Sequence, residues 1–75
     1  MYTIYSKSNC GVCLQAKQLL EMEQLPFEYK QLGTHYSLDE LMTLSPHAKS
    51  FPQVFKDGVL IGGYNDLVES LNKGH

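Results

Sequence analysis

Tyr2-Thr3-Ile4-Tyr5-Ser6-Lys7-Ser8-Asn9-Cys10-Gly11-Val12-Cys13 is the stretch that decides the fold. Its first four residues are β-branched or aromatic and read as a strand, Tyr2 to Tyr5. From Gly11 to Gln24 the apolar residues Val12, Cys13, Ala16, Leu19 and Leu20 follow helical spacing, with Gln15, Lys17, Gln18 and Glu21 on the opposite face. A strand therefore turns into a helix at two cysteines three residues apart. Such spacing puts both sulfurs on one helix face, one turn from each other.

Beyond this junction, Pro26 is expected to end the helix, and Phe27 to Leu32 alternates apolar with polar residues as a second strand closed by Gly33. Ser37-Leu38-Asp39-Glu40 is a capping box that opens a short helix with Leu38, Leu41 and Met42 directed inward, stopped by Pro46. Gln53-Val54-Phe55 and Val59-Leu60-Ile61 flank Lys56-Asp57-Gly58, whose Asp-Gly pair predicts a tight hairpin. Gly62-Gly63 breaks the last strand. A final helix is expected from about Asn65 to Asn72, with Leu67, Val68 and Leu71 inward and Gly74 at its C-terminal end. The order β-α-β-α-β-β-α begins with a right-handed crossover, so its two strands are parallel, and the hairpin adds an antiparallel pair. The expected α/β fold is a four-stranded mixed sheet with three helices.

At 75 residues the chain is one domain, 1–75, and 43% hydrophobic with 19% charged residues is the balance of a globular protein. Six lysines and no arginine against eight acidic residues give a net charge of −2, with no basic stripe for nucleic acid. Apolar runs are a few residues long, far below the ~18 needed to cross a membrane. Met1 to Lys7 lacks the basic and apolar regions of a secretory leader, so a reducing cytoplasm is the expected compartment. There a cysteine pair points to redox or metal chemistry and not to a structural bridge.

A helix N-terminus offers unpaired N–H groups and about half a positive charge, which favour a thiolate over a thiol. Against a reference near ~8.5, cysteines so placed have pKa values of about 3.5–7.5. Cys10, at the exposed lip, is then the candidate nucleophile, and Cys13, deeper in the helix, the resolving thiol. Half of a metal site and two incidental cysteines are the other readings. No second cysteine pair exists, and His35 and His47 stand at no ligand spacing, so no metal site is expected. His35, His47 and His75 read as exposed loop or tail residues, and Tyr5, Tyr29 and Phe55 as core or strand-face residues.

Three motifs carry a family resemblance. Lys7-Ser8-Asn9-Cys10-Gly11-Val12-Cys13 resembles the Lys-x-x-Cys-x-x-Cys of glutaredoxins, in the thioredoxin superfamily. Ser50-Phe51-Pro52-Gln53-Val54-Phe55 resembles their Thr-Val-Pro-Gln-Ile/Val-Phe segment, where the proline is cis. Gly62-Gly63-Tyr64-Asn65-Asp66-Leu67 resembles Gly-Gly-x-Asp/Ser-Asp-Leu. The three occur in order and in register over residues 7 to 67.

The resemblance implies a thioredoxin-like fold and a glutathione-dependent dithiol–disulfide oxidoreductase with Cys10 and Cys13 as its catalytic pair. It implies that glutathione, a co-substrate and not a tightly bound cofactor, meets Lys7, Val12, Phe51, Pro52, Gly63, Asn65 and Asp66. Lys7 suits a glycine carboxylate, and the helix start at Asn65 and Asp66 suits the γ-glutamyl end. A cis proline turns the backbone of Phe51 toward an extended substrate; a trans proline opening an edge strand is the alternative. Asp66 also fits a capping box with Glu69, and Lys49 is either a source of positive potential at the site or a solvated side chain. Expected partners are glutathione and disulfide-containing proteins, a ribonucleotide reductase among them, met by a monomer.

The chain departs from the family pattern in three places. Cys-Pro-Tyr-Cys is here Cys-Gly-Val-Cys, Phe51 replaces a smaller valine, and Asn65 replaces an acidic residue. Two other readings keep the fold: a redoxin reduced by thioredoxin reductase, and a module whose two copies share a glutathione-ligated [2Fe–2S] cluster. Gly62-Gly63 and Asp66 favour glutathione over the first.

Overall fold

The structure is a computed structural model that describes residues 1–46 and 50–73. The readings made for His47, Lys49, Gly74 and His75 lie outside those residues. Seven elements follow one another: β1 (Tyr2–Ser6), α1 (Gly11–Met22), β2 (Phe27–Gln31), α2 (Leu38–Leu44), β3 (Gln53–Lys56), β4 (Val59–Gly62) and α3 (Tyr64–Lys73). This is the expected order. The four strands form one sheet in the order β2-β1-β3-β4, with β1 parallel to β2 and antiparallel to β3, and β3 antiparallel to β4.

Strand alternation divides the core in two. Tyr2 and Ile4 of β1 face Ala16 and Leu20 of α1, Leu67 and Leu71 of α3, and Val54 of β3. On the other face Tyr5 packs with Phe55, Tyr36 and Leu41 of α2. Tyr5 meets Tyr36 and Phe55 edge-on, with centroids 4.9 and 5.4 Å away, an arrangement that aligns ring edges with ring faces. Tyr5 and Phe55 are core residues as expected, and Tyr29 is half-buried.

Two turns form as their residues dictate. Asp57 and Gly58 both take positive φ, 51° and 83°, the geometry of a two-residue turn that matches strand twist. At Ser37 both halves of the capping box are present: its hydroxyl accepts from the Glu40 N–H, and the Glu40 carboxylate accepts from the Ser37 N–H.

Three expectations are corrected. α1 stops at Met22, ahead of Pro26, because Gln24 turns left-handed at φ 57°. The Gln24 N–H then donates to the Glu21 carbonyl and the Leu25 N–H to the Leu20 carbonyl, the paired bonds of a Schellman ending. In α2, only Leu41 is buried; Leu38 and Met42 are 53% and 36% exposed, since a seven-residue helix turns only one position fully onto the sheet. α3 begins at Tyr64, one residue before Asn65, and Val68 is half-buried at its edge.

The left-handed Gln24 predicts a stabilising substitution. A side chain in that region costs ~1–2 kcal/mol, partly offset by the ~0.5–1 kcal/mol of flexibility that glycine brings to the unfolded chain. Gln24→Gly should therefore raise the melting temperature by about 2–8 °C. An unchanged or lower melting point in calorimetry would show that Gln24 is not strained.

Candidate active site

β1 is a central strand, and the chain leaves its end at Ser6 to reach Cys10. Several bonds fix that departure. The Ser6 carbonyl accepts from the Leu32 N–H at 2.8 Å and from the buried Tyr36 hydroxyl at 2.7 Å, while the Ser6 hydroxyl donates to the Lys30 carbonyl at 2.8 Å. Burial, with Tyr5 adding to it, pushes the Tyr36 hydroxyl up to about 12, so it stays a donor throughout the working pH range. The loop from Lys7 to Asn9 is thus anchored at its root, and Asn9 at φ 55° turns it into α1.

Cys10 is the N-cap of α1. Its Sγ accepts from the Cys13 N–H at 3.2 Å, and its carbonyl accepts from the Leu14 N–H at 3.3 Å. The two cysteines are joined in a disulfide with Cα atoms 5.3 Å apart. Cys10 is partly exposed, whereas Cys13 is 0% exposed. The backbone N–H in the first turn of α1 is thus directed at the Cys10 sulfur.

The other sequence-predicted residues gather at this end of the sheet. Tyr5 pairs with Gln53, so the Ser50–Pro52 segment leads into β3 beside the point where β1 gives way to the cysteine loop. The Phe51–Pro52 peptide bond is cis, as the resemblance implies. The segment is held from below by Gln53, which is buried and donates its side-chain amide to the Ser50 carbonyl at 2.8 Å. The Lys7 ammonium lies 5.6 Å from the centre of the Phe51 ring. Val12 is 38% exposed on the first turn of α1 beside the disulfide.

Gly63, Asn65 and Asp66 close the row. A Cβ on Gly63 would stand 3.7 Å from the Pro52 carbonyl, so the two backbones run close together. Asp66 does not cap its helix together with Glu69. Gly63 is the N-cap, its carbonyl accepting from the Leu67 N–H at 3.0 Å, and Asp66 reaches back to accept the Gly63 N–H at 3.2 Å. Gly62, at φ 129°, is required because a Cβ there would collide with that carboxylate. Asn65 is exposed in the same turn.

A cleft of about 380 Å³ opens on the β2 side of Cys10, lined by Lys7, Cys10, Gly11, Leu14, Tyr29 and Gln31 among others. Leu14, Tyr29 and Gln31 carry no motif that marks them as site residues. The parallel register that sets Ser6 opposite Gln31 is what brings Gln31 to this end of the sheet, and alternation along β2 brings Tyr29 with it. His35 is exposed, as expected, with its ring Nδ1 accepting from the Gln31 N–H at 3.0 Å.

The chain matches the family model described as Glutaredoxin over residues 2–61. It is 30% identical over 77 residues to Glutaredoxin 1 of Rickettsia bellii, an alignment covering 95% of this chain and 76% of that one. Among solved structures, a buckwheat glutaredoxin–glutathione complex superposes with a TM-score of 0.80 at 25% identity, over 97% of this chain and 69% of the other. The reduced glutaredoxin of Escherichia coli superposes with a TM-score of 0.82 over 96% of this chain and 93% of that one, at 24% identity, a likeness of fold. A family-wide match that runs through the cysteine junction and both strands of the hairpin, on a sheet of the same shape, leaves one assignment: the chain belongs to the glutaredoxins of the thioredoxin superfamily, and its activity is thiol–disulfide oxidoreduction.

Proposed function

We propose that the protein is a glutathione-dependent dithiol glutaredoxin that reduces protein disulfides and glutathione mixed disulfides in the cytoplasm. The observation that carries the chemistry is the position of Cys10, a partly exposed N-cap sulfur with a backbone N–H aimed at it. The Cys10 thiolate attacks one sulfur of a substrate disulfide. A new S–S bond forms to Cys10, and the other substrate sulfur leaves as a thiolate. Cys13 then attacks the Cys10 sulfur, releases the second substrate thiol, and closes the Cys10–Cys13 disulfide. One glutathione thiolate reopens that bond by attacking Cys10, and a second removes the first as glutathione disulfide. Two electrons pass from two glutathiones to one substrate disulfide.

The row of residues beside Cys10 supports glutathione as the donor. Lys7 offers an ammonium to one carboxylate, the Phe51–Pro52 backbone a rail, and the start of α3 at Gly63, Asn65 and Asp66 a site for the γ-glutamyl group. The buckwheat relative is a complex with glutathione. Turnover of hydroxyethyl disulfide with glutathione and its reductase tests the proposal, and absence of turnover overturns it. Faster reduction by thioredoxin reductase than by glutathione would overturn the choice of donor. The same comparison with an oxidised ribonucleotide reductase as substrate tests that protein partner.

Charge can be separated from capping at the far end of the rail. Asp66→Asn keeps an oxygen for the Gly63 N–H but removes the charge, so it should raise the glutathione KM without lowering stability. Asp66→Ala should do both. Lys7→Ala should raise KM as well. Exposed ion pairs are worth ~0.2–1 kcal/mol, so each KM should rise by a factor of about 1.4 to 5 and the differences should shrink with salt. Unchanged KM values at low salt in Lys7→Ala and Asp66→Asn would rule out this binding pose.

A further inference from the structure

The contact between Lys7 and Phe51 is unlike the other ammonium–ring contacts of the chain. Lys30 lies over Tyr5 and Lys56 over Tyr2, each pair facing across neighbouring strands where the register imposes the contact. Lys17 of α1 lies over Tyr29 of β2, so all three are set by regular elements. Lys7 and Phe51 belong to no strand or helix; one precedes α1 and the other precedes β3. Their contact, 5.6 Å from ammonium to ring centre, lies within the range where a ring face attracts a cation. No sheet register explains it. Among the described residues Lys7 has no carboxylate partner, and its side chain is exposed at the mouth of the site. The ring occupies one side of the ammonium and consumes no hydrogen-bond acceptor. N–H donors turned away from it stay open to an incoming anion.

We propose that Phe51 is a specificity-determining residue: its ring holds Lys7 in place, so that thiols and disulfides bearing a carboxylate are favoured at Cys10 over uncharged ones. An exposed lysine on its own spreads over many rotamers, and a ligand must order it before using its charge. A ring that has already ordered it removes part of that loss. This deepens the glutathione reading, on which it rests for the identity of the physiological ligand; the contact and its effect on charge selection do not depend on that identity. It also gives a physical role to a departure from the family pattern, since the valine usual before the proline has no ring to offer.

Two alkylating reagents of nearly equal shape test the charge selection without glutathione. The Cys10 thiolate displaces iodide from either iodoacetate, which is anionic, or iodoacetamide, which is neutral. The ratio of the two rates on the reduced protein reports the positive charge held beside Cys10. Phe51→Leu keeps apolar bulk and removes the π face, so it should lower that ratio about two- to five-fold. Lys7→Ala should lower it at least as far, and the double variant should fall no further than Lys7→Ala alone. A ratio unchanged in Phe51→Leu, or effects of the two substitutions that multiply, would overturn the proposal. So would a raised ratio, which would mean that the ring competes for the ammonium. A second arm compares KM for a glutathione mixed disulfide and for its glutathione diethyl ester counterpart; Phe51→Leu should raise the first by the larger factor, and equal factors would overturn the proposal. If glutathione supports no turnover while the alkylation ratio still falls, the glutathione reading fails and the role of Phe51 stands.

Discussion

Cys10→Ser will show no measurable turnover on any disulfide substrate. The serine hydroxyl is not ionised at neutral pH, and Cys13 is in no position to substitute for the missing thiolate. Its sulfur is fully buried, so an external disulfide cannot reach it for in-line attack. Cys13→Ser has a different outcome. Removing a glutathionyl group needs one thiolate and a free glutathione, and that activity should persist. Reduction of protein disulfides through an internal Cys10–Cys13 bond should be lost. Cys13→Ala, which introduces no hydroxyl at a buried position, should give the same split. Equal loss in both single variants on a glutathione mixed disulfide would reverse or erase the assigned roles. The rate of Cys10 alkylation against pH should give a midpoint clearly below ~8.5, and a midpoint at the reference value would remove the influence ascribed to the helix end.

The largest effect on stability is expected from Leu67→Ala. Leu67 is fully buried and packs α3 against Ile4, Leu20 and Val54. Truncating such a residue costs ~2–5 kcal/mol, while a chain of this length is stable by only about 4–11 kcal/mol in total. The melting temperature should fall by roughly 10–30 °C. Because Gly63 and Asp66 sit on the first turn of the same helix, the surviving folded protein should also bind glutathione less tightly, while Cys10 alkylation stays near normal. A drop of only a few degrees would show that α3 is not part of the core.

Sequence and structure agree where a local rule sets the backbone. The strand-to-helix junction at Cys10, the Asp57–Gly58 turn and the Ser37 capping box each depend on residues within four positions of one another. They were legible for that reason. The left-handed Gln24 was not, because a non-glycine in that conformation is imposed by packing at the helix end and leaves no mark in composition. In the sequence Gly62-Gly63 reads as the break that ends the last strand, yet Gly62 lies within β4 and is needed for the chain's own Asp66 carboxylate. The inward face of α2 is narrower than the spacing of Leu38, Leu41 and Met42 predicts, because periodicity gives the direction of a helix face and says nothing of how much sheet lies beneath it. At the site, Tyr29, Gln31 and the Lys7–Phe51 contact depend on strand register and on loops distant in sequence, which no short motif encodes.

The strand order has a consequence for the birth of the protein. β1 precedes β3 in the chain by more than forty residues, yet it lies inside the sheet, and one of its two neighbours is β3. Partners such as Tyr2 and Lys56 are more than fifty positions apart. Non-local pairings of that kind delay folding, since a long loop must close before its contacts form. On a translating ribosome the two cysteines are therefore exposed to solvent before β3 and the Phe51–Pro52 turn that stand beside them in the folded sheet exist. During that interval nothing in the folded sheet restricts which oxidant reaches either thiol.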